Sequence, residues 1–166
     1  MTAQIPPRPT EHDAAVQEEA ARQLLPKVRA WLGSDSDGTD EEIIEDLVNA
    51  LDNAREPDGY RLARELEDEG YDVDAALVEV LDGMHLQHAR DTLVRAWVQK
   101  HDIKLTLTVG AKVKARLNWA RTVEGEISAL YPDTATYCVS VPKEGHVRSG
   151  LGTHGYIVPC EAVTVV

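Results

Sequence analysis

A single change of rhythm constrains this chain more than any other feature. Up to about residue 101, apolar residues recur at the spacing of helical faces. Val16, Ala20, Leu24, Val28 and Trp31 make one such series, and Ile43, Ile44, Leu47, Val48 and Leu51 a second. Leu62, Ala63 and Leu66, then Leu77, Val80 and Leu81, then Leu86, Leu93, Val94, Trp97 and Val98 continue it. From Ile103 the period falls to two: Ile103, Leu105, Leu107 and Val109 alternate with Lys104, Thr106 and Thr108. That alternation is the signature of a strand with one face on a core. The two periods do not suit one element type, so the switch predicts a helical domain over residues 10–102 and a β domain over 103–166. The expected class is α+β. The proline-rich "IPPRP" near the start predicts a flexible tail over residues 1–9.

Local signals punctuate the helical part. Thr10 reads as an N-cap, with Asp13 three places on. Pro26 removes a backbone donor and crowds the preceding turn, which predicts a kink or break. Gly33 is a stop signal. "TDEE" reads as a capping box, Thr39 with Glu42. "EPDGY" is a turn, Gly70 ends a third helix, Asp72 or Asp74 caps a fourth that Gly83 closes, and a fifth runs from about Met84 to His101. Short connections between these helices favour a compact bundle. With no Phe in the chain, Leu, Val, Ile, Ala and three Trp must supply the cores.

In the β part, strand candidates cover Lys112–Leu117, Val123–Leu130, Thr136–Val141, Tyr156–Pro159 and Ala162–Val165. "PDT", "PKEG" and "SGLGTHG" separate several of them as turns. Short, closely spaced strands predict a small barrel or sandwich. The segments "VGAKVKAR", "VEGEISAL", "DTATYCVSV" and "YIVPCEAVTVV" carry a likeness: from Val109 onward the chain resembles an SH3-like barrel of the KOW, Tudor or chromo-barrel kind. The likeness covers about a third of the chain and implies a fold more than a function. The expected architecture is therefore an acidic N-terminal helical bundle followed by a small SH3-like β-barrel.

Charge divides the chain along the same line. The net charge is −12. Residues 34–82 hold 18 acids and 3 bases, whereas residues 106–166 hold 5 acids and 6 bases. Within the first segment, "DSDGTDEEIIED" carries seven carboxylates and no base. Such a surface repels nucleic acid and attracts basic partners.

Several chemistries meet a specific obstacle. An EF-hand loop counted from Asp35 needs Gly at position 6 and Glu at position 12; Asp40 and Asp46 stand there. "GLGTHG" at residues 150–155 matches G-x-G-x-x-G, but strand-like sequence follows it where dinucleotide binding needs a helix. Cys138, His146, His154 and Cys160 are zinc-ligand types at spacings that fit no common finger, and Cys138 reads as a packing thiol in an apolar strand. His85 and His88, with Asp91, are spaced for a metal but read as a solvated face, and His101 as a partner of a helix C-terminus. No P-loop or nucleophile elbow is present. Residues 61–81 allow a helix-turn-helix reading, but "VDAALVEVLDG" offers acids and no base to a phosphate backbone.

These readings predict a non-enzymatic acidic binding protein without metal or cofactor. Its interface would comprise Asp40, Glu41, Glu42, Glu45, Asp46, Asp52, Glu65 and Asp68, meeting a basic surface of a protein partner. An inhibitor or nucleic-acid mimic of the type mobile elements encode fits that description by analogy. The alternative is a nucleic-acid-associated adaptor using Lys112, Lys114, Arg116, Trp119 and Arg121, the basic and aromatic cluster of the β part. No apolar run approaches the ~18 residues of a membrane span, the first residues lack a signal-peptide pattern, and two cysteines make no disulfide framework. A cytoplasmic location is expected.

Overall fold

A computed structural model describes residues 5–33, 38–54, 58–141, 148–149 and 152–166. Among them are five α-helices: α1 (Ala14–Leu32), α2 (Asp40–Asn53), α3 (Gly59–Asp68), α4 (Ala75–Leu81) and α5 (Leu86–Lys100). Seven strands follow: β1 (Lys112–Arg116), β2 (Thr122–Tyr131), β3 (Thr136–Ser140), β4 (Arg148–Ser149), β5 (Gly152–Thr153), β6 (Tyr156–Pro159) and β7 (Val163–Val165). The chain is α+β. It divides into two compact units, residues 6–93 and 94–166. The division falls inside α5, where the change of period had placed a boundary after residue 102.

In the helical unit, Leu24 and Val28 of α1, Ile43 and Leu47 of α2, Leu62 and Leu66 of α3, and Leu77 and Leu81 of α4 share one buried cluster. Val16, Ala20 and Ala89 form a smaller one with Leu86 and Leu93. Polar side chains start most of these helices. Thr39 and Glu42 close both halves of the capping box on α2. Asp58 accepts from the Arg61 N–H at 2.8 Å to start α3, and Asp74 accepts from the Leu77 N–H at 2.8 Å to start α4. At the end of α3, Gly70 takes φ +98°. The Tyr71 N–H then reaches back to the Leu66 carbonyl at 3.1 Å, the six-to-one bond of a Schellman stop.

One expectation for α1 needs correction, and another is narrowed. Its N-cap is Asp13 and not Thr10. The Asp13 carboxylate accepts from the Thr10 N–H and hydroxyl, each at 2.9 Å, so Thr10 closes the turn ahead of the helix. Pro26 does not break the helix into two, since α1 continues through it to Leu32. Leu24 and Val28 on either side are buried and hold the packing face continuous, while Pro26 itself is exposed. The carbonyl left without its donor can be served by solvent.

The sheet unit is organised around a five-stranded antiparallel sheet in the order β6-β3-β2-β1-β7. Val113, Ala115, Val123, Ile127, Tyr137, Val139 and Val158 form its main core. The register of β2 against β3 shifts between Ile127 and Ala129. Ile127 and Ser128 are consequently both buried, and the Ser128 hydroxyl is satisfied by the Cys138 carbonyl at 3.2 Å. Cys138 is fully buried in the middle of β3. Gly152 and Thr153 of the glycine-rich stretch are strand, and β6 follows directly where a dinucleotide fold would place a helix; Gly150 and Leu151 lie outside the described residues.

The period-two segment over 103–109 also needs correction, because no ladder pairs it with another strand. It is entered through a second Schellman stop. Asp102 takes φ +48°, and the Ile103 N–H bonds to the Val98 carbonyl at 3.1 Å. Ile103 and Leu105 then pack with Val94, Val98, Ala135 and Cys160. The backbone N–H groups of Thr106 and Leu107 both donate to the Tyr137 hydroxyl, at 3.1 Å each. Alternating burial made the segment look like a strand, but its donors go to a side chain. Among the described residues no helix is long and apolar enough to cross a membrane.

Candidate functional site

The eight acidic residues expected to meet a partner fall into two groups. Four have tasks within the helical unit. Asp40 receives the Arg29 guanidinium of α1 at 2.7 Å. Glu42 accepts from the Thr39 N–H at 2.8 Å and from its hydroxyl at 3.0 Å, and the backbone bond, with the hydroxyl second, holds its carboxyl below the ordinary value. Asp46 accepts from the Tyr71 hydroxyl at 2.7 Å. Burial first, and this bond second, push the Tyr71 phenol well above its ordinary range. Asp52 accepts from Gln17 Nε2 of α1 at 2.7 Å.

The other four have no hydrogen bond or ion pair within 5–33, 38–54 and 58–93, the described part of their unit. Glu65 is half-buried on α3 and Asp68 exposed at its end. Glu41 and Glu45 are exposed one turn apart on α2. They border a groove against α1 whose lining includes Ala14, Ile44 and Val48, with Glu18 on the α1 side. Arg22, also on that groove, is already paired with Glu18, and this bond first, with Glu41 and Glu19 acting through space, keeps its guanidinium firmly protonated. The groove therefore joins a strip of apolar surface to uncommitted carboxylates. Asp35 and Asp37 of the acidic stretch lie outside the described residues.

The basic cluster of the sheet unit also divides. Lys112, Lys114 and Arg116 point to one face of β1, with Val113 and Ala115 on the other. Across the ladder Lys112 stands opposite Glu126 and Lys114 opposite Glu124, whereas Arg116 faces Thr122. Trp119 sits at the tip of the β1–β2 hairpin and is 97% exposed. Arg121 donates through Nη2 to the Tyr156 hydroxyl at 3.0 Å and lies over the Tyr156 ring at 5.3 Å. Tyr156 escaped the sequence reading: its contact with Arg121 spans 35 positions and depends on how β6 pairs with β3. Asn118 was missed as well, although an Asn two places before a small residue in a hairpin is a readable turn signal.

No group of three or more His, Cys, Asp or Glu among the described residues is arranged to hold a metal ion. His154 is exposed, Cys160 is half-buried and beside Glu161, and His146 lies outside the described residues. His85 precedes α5, where its carbonyl accepts from His88 and Ala89. Comparison with protein-family models, with curated proteins and with solved structures returned no match.

Proposed function

We propose that this chain is a non-enzymatic binding protein whose helical part occupies a basic surface of a protein partner. The observation that carries the reading is the α1–α2 groove, where Glu41 and Glu45 stand exposed, without ion pairs among the described residues, beside Ile44 and Val48. Carboxylates attract and orient a basic surface from a distance, and the apolar strip supplies the short-range burial that charge alone does not. The interface is thus narrower than the acidic stretch as a whole, because Asp40, Glu42, Asp46 and Asp52 serve the fold. The dense negative charge of residues 34–82 supports reading the partner as a protein that normally holds nucleic acid, with this chain as mimic or inhibitor. For the sheet part we keep the SH3-like barrel reading. Its support is that β7 returns to pair with β1 while a register shift bends β2, a combination suited to closing a small sheet. Two free cysteines accord with a reducing, cytoplasmic setting.

The test is competition. The immobilised full-length chain is used to capture proteins from its native host at low salt, and the bound fraction is challenged with duplex DNA and with heparin. The mimic reading expects a basic protein that either polyanion releases. A partner that stays bound under excess of both would sink that reading.

A further inference from the structure

The tip of the β1–β2 hairpin offers a flat aromatic face to solvent on a stiff backbone. Trp119 is 97% exposed, although a tryptophan ring ordinarily contributes a large buried area. Its backbone is well tied. The Asn118 side-chain oxygen accepts from the Ala120 N–H at 2.9 Å and the Arg121 N–H at 2.8 Å, and the Leu117 N–H donates to the Arg121 carbonyl at 2.9 Å. The indole is therefore presented by a pre-formed turn, which lowers the ordering cost of binding. Positive charge flanks it. Arg116 stands at the end of β1 opposite Thr122, and Arg121 is held against Tyr156 by a hydrogen bond and by its ring. Farther down the hairpin Lys112 and Lys114 stand across the ladder from Glu126 and Glu124, whereas Arg116 has no acid opposite it.

We propose that Arg116, Trp119, Arg121 and Tyr156 form a binding site for single-stranded nucleic acid. Trp119 stacks on an unpaired base and the two arginines face the flanking phosphates. Every base has a π-face, so such a platform is tolerant of sequence, and a duplex, whose bases are already stacked, cannot use it. An acidic peptide would satisfy the guanidinium groups but leave the indole without a flat partner. The site belongs to the sheet unit alone and is independent of the acidic groove.

The test uses full-length protein and a short fluorescein-labelled oligothymidylate, followed by fluorescence anisotropy at low and near-physiological salt. Binding is expected, with Trp119→Ala weakening it roughly ten- to a hundredfold and Trp119→Phe retaining most of it. Arg116→Ala should flatten the dependence of log K on log salt by about 0.7 for a lost single-strand phosphate contact. Circular dichroism should be unchanged in these variants, because Trp119 and Arg116 are exposed. The site is overturned by any of four results: no binding at low salt, equal affinity for a duplex of the same length, equal affinity for polyglutamate, or undiminished binding by Trp119→Ala.

Discussion

Around an apolar core, the helical unit ties its elements with acids, and the sheet unit ties its own chiefly with neutral groups. In residues 6–93, carboxylates cap helices (Asp58, Asp74 and Glu42) and tie elements to one another. Asp82 accepts from the Gly59 N–H at 2.7 Å, Asp46 from Tyr71, and Asp74 also accepts from the Trp31 indole at 2.9 Å. Among the described residues of 94–166 the corresponding ties come chiefly from neutral groups, the Tyr137 hydroxyl, the Asn118 amide and the Ser128 hydroxyl, beside the Arg121–Tyr156 contact and the exposed Asp102–Lys104 pair. The comparison teaches that charge density and available charge are different quantities. A surface inferred from acid counts must exclude the acids already serving the fold; of the eight, that leaves Glu41, Glu45, Glu65 and Asp68, the first two beside an apolar groove.

The largest effect should come from the neutral tie of the sheet unit. Tyr137→Ala removes a buried ring and the shared acceptor of two backbone donors, and should cost about 3–5 kcal/mol in urea unfolding. Tyr137→Phe, which removes only the acceptor, should cost about 1–3 kcal/mol. The comparison fails if the Phe variant is as stable as the parent. The helical counterpart is Gly59→Ala. A methyl there would collide with the Val78 carbonyl oxygen and the Asp82 carboxylate, an overpacking cost of about 1–3 kcal/mol.

Fragments sharpen the division next. Val94 and Val98 of α5 pack with Ala135, Ile103 and Leu105, so a chain starting at residue 94 should show a higher melting temperature than one starting at residue 103. Equal melting would mean that the end of α5 contributes nothing to the sheet unit.

Acid should reach the helical unit first. Asp13, Glu42 and Asp74 are all held below their ordinary values: Asp13 by bonds from Thr10, Glu42 by bonds from Thr39, and Asp74 by the Leu77 N–H first and the Trp31 indole second. A lowered folded pKa stabilises fully above the ordinary carboxylate value of about 4 and is lost as pH falls through the lowered value. Helical ellipticity in the far ultraviolet should therefore weaken below about pH 4. Thr39→Ala should cost about 1 kcal/mol at neutral pH and less in acid, where the Glu42 half of the box is protonated. The smallest effect concerns the stop after α5. Asp102 occupies a left-handed position that Gly adopts without strain but also pairs with Lys104 at 2.8 Å on an exposed surface, so in Asp102→Gly the two changes should nearly cancel and leave stability within about 0.5 kcal/mol of the parent's in urea unfolding.

Much of this was legible in the sequence because the signals were local. Capping box, helical stripes and five strand positions depend on residues within a turn or two of each other. The misreadings have a common cause. Thr10 and Asp13 differ by which oxygen reaches which N–H, and residues 103–109 by a partner, Tyr137, some thirty positions away. The same distance hid Tyr156 beside Arg121. The acidic surface was readable as composition, but which acids are committed depends on Arg29, Gln17 and Tyr71, and only the packing of α1, α2 and the segment after α3 brings those to Asp40, Asp52 and Asp46.

The central claim is that, of the carboxylates the fold leaves uncommitted, those beside the α1–α2 groove are the ones that meet a partner. The direct measurement reverses two sets of charges of equal size and compares capture from the native host at low salt. Glu41→Lys with Glu45→Lys alters the groove, and Glu67→Lys with Glu69→Lys alters exposed acids at the end of α3, away from it. Both double variants should keep the parent's circular dichroism. The account predicts that the groove variant loses the captured basic partner, that the control retains it, and that raising salt shrinks the difference as screening shortens the reach of charge. Equal loss in both variants would mean that net charge alone drives the capture, and undiminished capture by the groove variant would contradict the account.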